Sequence, residues 1–262
     1  MKTSTEIETP FGRYEILESE TTCSLLTACG AYFSEYDKSV PQRLGLVSHQ
    51  HLLTGLLFYP ELPQRILLAG IGGGDCARAL TGLSAEIAIT GVDIDPVLLQ
   101  VAKTHFALPD IECVCADIRD FICHDQQHYD LIIVDIFQEA QGLALNSELL
   151  RAFQARLSAQ GILSFNLTLT DTSMAQPLLH DVQQCFATRF LMVDIARRKN
   201  VFLHCFHAMP SIRQRHALLT RAQVLSNTLG FSFTNIVARL FEKNPTDSQF
   251  ASALLAGDDY NR

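Results

Sequence analysis

No apolar run in this chain approaches the roughly 20 consecutive residues that a bilayer-spanning helix needs. The opening MKTSTEIETP also lacks the apolar stretch of a secretory leader, so a soluble, cytoplasmic protein without a membrane partner is expected. Positive charge is scarce: 20 Lys and Arg stand against 28 Asp and Glu, a net charge of −8. The basic footprint that neutralises phosphates is missing, which argues against nucleic acid as a partner. An acidic surface would help to attract a cationic substrate, and it also serves solubility.

Clustered cysteines are missing too. Cys23, Cys29, Cys76, Cys113, Cys115, Cys123, Cys185 and Cys205 are scattered along a chain too long and apolar to need disulfides. Cys113 and Cys115 share a face of an expected strand, but no second pair or nearby histidine cluster completes a tetrahedral site, so no metal is expected. There are no internal repeats, low-complexity tracts or Gly/Ser linkers, so a second large domain is not expected. What is present is 262 residues, 48% of them hydrophobic, enough to bury a large core.

The patterning divides the chain into three parts. Residues 1–60 hold two apolar-rich segments, FGRYEILES and SLLTACGAYF, that read as a small β-hairpin, then a helix from Val40 to Tyr59 ended by Pro60 and Pro63. Residues 61–209 alternate continuous apolar strands with helices: RILLAGI, a helix over Cys76 to Leu83, EIAITGVDI, a helix over Pro96 to Phe106, IECVCADI and YDLIIVDIF. A helix over Ser147 to Ser158, the strand GILSFNLTL, a helix over Ala175 to Phe186, and RFLMVDIA with NVFLHCF follow. Strands of this kind belong to a parallel sheet covered on both faces, and the last two form an antiparallel hairpin at its edge, with Lys199 and Asn200 as turn residues. Residues 210–262 carry two docked helices, in HALLTRAQVL and NIVARLF. The fold class is therefore α/β, Rossmann-like, with a mostly parallel sheet.

Gly70-Ile71-Gly72-Gly73-Gly74 lies directly after one strand and before a helix. Glycines there permit a tight turn and a close approach to a ligand, with free N–H groups at the helix start. About twenty residues on, Asp93 ends the second strand, where a carboxylate can accept hydrogen bonds from both hydroxyls of a ribose. Asp95 before Pro96 reads as a helix N-cap. Asp117 ends the third strand, placed either to meet an adenine amino group or to cap the next helix. In the fourth strand Asp135 falls at the carboxyl end, the ligand side of an open parallel sheet, and Asp130 at the far end; only Asp135 is a catalytic candidate. His49 and His51, two apart on a helix, face different ways and cannot share a metal; a surface or capping role is expected. Asn166, near a strand end, could reach the pocket or serve a turn.

In this order and spacing, ILLAGIGGGD, GVDIDP, ADIRDF and YDLIIVDIF resemble the spermidine synthase family of polyamine aminopropyltransferases, which shares its fold with class I methyltransferases. The resemblance covers roughly residues 11–205. It implies that Gly70, Gly72, Gly73, Gly74 and Asp75 line the nucleoside and amino-acid portion of decarboxylated S-adenosylmethionine. Asp93 with Ile94 would hold the ribose, and Asp117 with Ile118 the adenine. It also implies that Asp135, the first acid of an Asp-x-x-Asp motif, helps to deprotonate an amine acceptor such as putrescine.

The chain departs from the family in three places. Asp75 is displaced by two positions in a gap-free match, Gln138 stands where the second acid belongs, and Ser48-His49-Gln50 takes the place of Tyr-His-Glu, leaving His49 and Gln50 as substrate contacts. The same residues would also serve a methyltransferase using S-adenosylmethionine itself, or a non-catalytic nucleoside-binding protein. A homodimer is a further implication of the family.

Overall fold

In the structure, a computed structural model, residues 2–136, 145–168, 172–196, 198, 200–212 and 214–244 are described. Gln138, one of the expected substrate contacts, lies outside them. Among the described residues no helix is long and apolar enough to cross a membrane.

A seven-stranded sheet forms the centre. It consists of β5 (Arg65–Ala69), β6 (Ala88–Asp93), β7 (Glu112–Cys115), β8 (Tyr129–Val134), β9 (Leu157–Thr168), β10 (Phe190–Asp194) and β11 (Asn200–Phe206), in the order β10-β11-β9-β8-β5-β6-β7. Strands β7 to β9 by way of β5 run parallel, and β11 and β10 join antiparallel at one edge, as the sequence indicates.

Successive side chains of a strand point to opposite faces, so each central strand feeds two cores. Ile66 and Leu68 of β5, Leu131 and Ile133 of β8 and Phe202 and Phe206 of β11 pack on one side with α1 (Val47–Leu52), α2 (Asp75–Leu83), α7 (Arg215–Leu229) and α8 (Phe233–Lys243). Leu67 and Ala69, Ile132 and Val134, and Leu203 and Cys205 pack on the other with α4 (Ile118–His124), α5 (Ser147–Ala155) and α6 (Thr172–Phe186). α3 (Pro96–His105) starts as expected: Asp95 Oδ1 accepts from the N–H groups of Val97 and Leu98, and Pro96, which has no N–H to satisfy, is the first helical residue.

Asp130 fixes the opposite end of the sheet. Its Oδ2 accepts from the N–H groups of Gln64 and Arg65, and its Oδ1 from the Ser158 hydroxyl at 2.8 Å.

Three elements differ from the sequence reading. The N-terminal hairpin is a four-stranded antiparallel sheet of β1 (Thr3–Thr9), β2 (Gly12–Glu18), β3 (Thr22–Thr27) and β4 (Tyr32–Asp37). SLLTACGAYF breaks in two because Gly30, at φ +78, turns the chain back. The helix expected from Val40 begins only at Val47, since Pro41 has no N–H to donate and Val40 and Arg43 close turns onto Asp37 and Val40; from Leu53 to Phe58 the chain tightens into a 3-10 helix. The helix placed over Ser147 to Ser158 stops at Ala155, and Leu157 already belongs to β9, where its apolar side chain is buried.

The N-terminal sheet sits over the parallel sheet's ligand side. Tyr14, Ile16, Cys23 and Leu25 pack on Leu98, Val101 and Phe106 of α3 and the residue after it, which brings β4 against the glycine loop. The Asp95 cap is structural, so Asp95→Ala is expected to cost about 1 kcal/mol in urea unfolding. Nucleoside affinity should stay within twofold of wild type in calorimetry.

Candidate functional site

The ends of β5, β6, β7 and β8 meet at one rim because the strands are adjacent and parallel. Backbone bonds carry the alignment one residue further: Gly70 N–H to Val92 O, Ala116 N–H to Asp93 O and Asp135 N–H to Ala69 O, at 2.8, 3.1 and 2.9 Å. Gly70–Gly74, Asp93, Asp117 and Asp135 are thereby brought to that rim together.

The glycine loop uses its freedom at close approaches. Gly70 has φ +89, and a Cβ there would lie 2.3 Å from the Asp135 carbonyl; a Cβ at Gly73 would lie 2.6 Å from that of Ser34. The N–H groups of the loop itself are all engaged. Gly70 donates to Val92, Ile71 and Gly72 to Asp93 Oδ2, Gly73 to the Ser34 hydroxyl and Gly74 to Ile71.

Asp93 consequently serves the loop. Oδ2 takes two N–H groups and Oδ1 takes that of Asp95 at 3.0 Å, so of about four lone-pair positions on a carboxylate one is left. Burial pushes its pKa above the ordinary carboxylate value, against these backbone donors. Asp117 caps α4 by accepting from Arg119 N–H at 2.9 Å, and both its oxygens also receive the Arg119 guanidinium, which lowers its pKa. Beside it Ile118 is buried, and Ile94 is half-buried next to Asp93.

The densest chemistry surrounds Asp135. Its Oδ2 lies 3.2 Å from His49 Nε2, and its Oδ1 accepts from Asn166 Nδ2 at 3.0 Å. The other nitrogen of His49, Nδ1, lies 3.5 Å from Asp75 Oδ2, and neither atom has a hydrogen-bond partner among the described residues. Asp75 Oδ1 receives Arg78 Nη2 and the Glu35 N–H. Arg78 in turn donates to the carbonyls of Gly73 and Phe106 and lies over the Tyr36 ring. Arg78, Asp75, His49 and Asp135 thus form a row of alternating sign that only Asp135, with 24% of its side chain exposed, opens to solvent.

His49 is therefore no surface or capping residue, which corrects the sequence reading: α1 packs against β9 and β11 and turns its ring inward at 8% exposure. Burial opposes charging it, but the Asp135 hydrogen bond and the Asp75 field outweigh that and raise its pKa. Asp135 is held below the ordinary carboxylate range, burial being outweighed by His49 and Asn166. Gln50 faces elsewhere. Its amide donates to Leu44 O, and it lines a pocket of about 430 Å³ shared with Glu35, Asp37 and Arg43, to which Asp135 does not contribute. Asn200, expected only as a turn residue, begins β11 and donates to Asn166 Oδ1 at 3.0 Å. The sequence reading missed Arg78; an Arg three residues after Asp75 on one helix face was the available signal.

Residues 66–161 match a family model described as a methyltransferase domain. A polyamine aminopropyltransferase of Chromobacterium violaceum is 30% identical over 236 residues, spanning 88% of this chain and 90% of that protein. The chain belongs to the polyamine aminopropyltransferase family. It is a transferase by that membership. A probable spermidine synthase from Corynebacterium glutamicum shares its fold at TM-score 0.72 and 18% identity, covering 87% of each chain. Human methyltransferase-like protein 13, solved in complex with SAH, superposes at TM-score 0.60 and 23% identity over 70% of this chain and 90% of that one.

The row of charges in this member of the family has a pH signature. His49, raised on folding, contributes fully below its unfolded value of about 6.5 and loses the contribution as pH climbs through the folded one. Asp135, lowered, contributes above about 3.9 and loses it as pH falls through its folded value. His49→Asn is therefore expected to destabilise the protein by about 1–3 kcal/mol near pH 5.5. That penalty should shrink as pH rises past neutrality, as read by thermal unfolding across pH.

Proposed function

We propose that this protein transfers the aminopropyl group of decarboxylated S-adenosylmethionine to a small amine such as putrescine. The observation that carries the reading is Asp135: a carboxylate at the strand rim, kept ionised by His49 and Asn166 and open on one side beside the glycine bend. An acceptor ammonium has no lone pair, so it must lose a proton before attack. In the proposed step its nitrogen forms a bond to the methylene next to sulfur, the carbon–sulfur bond breaks, and methylthioadenosine leaves as a neutral thioether. The amine proton passes to Asp135. Because a sulfonium is already a good leaving group, alignment and deprotonation can supply most of the acceleration.

In this reading the donor's ribose takes the lone-pair position left on Asp93, one hydroxyl rather than two, without disturbing the loop. Asp117 and Ile118 border the adenine, Asp117 sharing its charge with Arg119, and His49 flanks the acceptor. Support for an S-adenosylmethionine-type donor also comes from the SAH bound to the human structural neighbour.

One observation favours a second reading. Asp75, the acid nearest the glycine bend, is already paired with buried Arg78, which leaves less acid for a donor's ammonium tail and suits the carboxylate of S-adenosylmethionine in a methyl transfer.

Calorimetry with S-adenosylmethionine, its decarboxylated form and methylthioadenosine, followed by product analysis with putrescine, separates the two. Preference for the decarboxylated donor with spermidine formed supports the first; preference for S-adenosylmethionine with methylated product replaces it; tight binding without turnover leaves a non-catalytic nucleoside-binding protein. Asp135→Asn is expected to lower kcat by about 10²–10⁴ with donor affinity nearly unchanged. Asp93→Ala should lose donor affinity by tenfold or more, about 1.4 kcal/mol or above, in the same titration.

A further inference from the structure

Asp135 is gripped from two sides, by His49 of α1 and Asn166 of β9, and the second grip has a direction. A carboxylate only accepts, so Asn166 must turn its Nδ2 toward Asp135 and its carbonyl oxygen away. That oxygen accepts from Nδ2 of Asn200 at 3.0 Å. Since the two ends of an amide are alike in shape, only such partners decide which way it faces.

The strand register supplies this partner. Asn166 stands opposite Phe202, and Asn200 stands opposite Thr168, so the two asparagines are diagonal neighbours on one face of the β9–β11 pair. Asp135 itself lies beyond Val134, which pairs with Phe165. The antiparallel β9–β11 register and the parallel β8–β9 register together line up Asn200, Asn166 and Asp135.

We infer that Asn200 is a positioning residue for Asp135, acting through Asn166: it holds the Asn166 amide in the one orientation that donates to Oδ1 and so leaves Oδ2 facing His49 and the open side. This rests on the reading of Asp135 as the acid that meets the acceptor. Among the described residues, the other titratable groups around Asp135 are His49, with Asp75 behind it, and Cys76 of α2.

The test is a double-mutant cycle read at the carboxylate. Protein labelled with 13C at aspartate carboxyls is titrated by NMR, with Asp135→Asn to assign the signal, for wild type, Asn200→Leu, Asn166→Leu and the double variant. Asn200→Ala serves as the less bulky substitute if the leucine variant misfolds. The expected result is a higher pKa for Asp135 in Asn200→Leu, with no further change when Asn200→Leu is added to Asn166→Leu. With an active acceptor, kcat should fall about three- to tenfold at near-constant donor KM, equivalent to about 0.7–1.4 kcal/mol.

An unchanged Asp135 titration in Asn200→Leu overturns the inference. So does an effect that persists in full in the Asn166→Leu background, which would mark a general defect of the hairpin. Failure of the parent reading shows separately, as wild-type transfer by Asp135→Asn, because the NMR signal reports the carboxylate whether or not it reacts.

Discussion

Asp135 is a charge placed at the end of a strand whose neighbours are apolar on both faces, and the surrounding side chains are arranged so that this charge survives there. A carboxylate mostly removed from water gives up its proton reluctantly unless donors replace the lost hydration. Here His49 and Asn166 do so from opposite sides, and the remaining quarter of the side chain is left to solvent. The parallel sheet fixes the position, since β8 is central and its carboxyl end opens beside β5, where Gly70 has no Cβ to collide with the Asp135 carbonyl. The aspartate and the glycine are two halves of one steric and electrostatic arrangement.

The N-terminal sheet completes it from above. Ser34 takes the Gly73 N–H, Glu35 gives its own N–H to Asp75, and Tyr36 lies on Arg78, so three consecutive residues of β4 anchor the loop and the helix that follows. With Val92, Asp93 and the Ile71 carbonyl taking the other N–H groups, the loop of four glycines offers no free amide. A phosphate-binding loop needs exposed N–H groups; a nucleoside whose reactive centre is a sulfonium brings no phosphate. The loop's backbone can therefore be spent on rigidity, with Asp93 as its clamp.

The parallel sheet, the two faces of the core, the Asp95 cap and the acids at the strand ends were legible in the sequence, because each is encoded locally: a continuous apolar run, a cap before proline, a carboxylate one residue past a strand. What could not be read depends on which distant segments meet. His49 sits on a short helix of ordinary polarity, and nothing in Ser48-His49-Gln50 says that its ring is walled in by Asp75 and Asp135, residues 26 and 86 positions away. Asn200 resembles any polar residue at a hairpin until the register sets it diagonally across from Asn166. β1 and β4 carry few buried side chains, so a period-two apolar pattern was too faint to announce them.

The same long-range meeting makes the site indivisible. Moving an isolated ion from water into a protein interior costs several kcal/mol even after relaxation. Arg78, Asp75 and His49 are each less than a tenth exposed, so a charge on any of them needs neighbours that replace its lost hydration. Placed in a row with alternating sign, each inner member lies between two opposite charges, and with His49 protonated the four sum to zero. Removing one therefore leaves its neighbours uncompensated instead of deleting a single contact. Arg78 illustrates the reach: it touches no solvent-facing acid, but it holds Asp75 with one nitrogen and the Gly73 and Phe106 carbonyls with another. Glycine loop, charge row and the exposed edge of Asp135 are thus mechanically continuous, and substitutions of neighbours along that line are expected to be non-additive, since each inner member is a partner of two others.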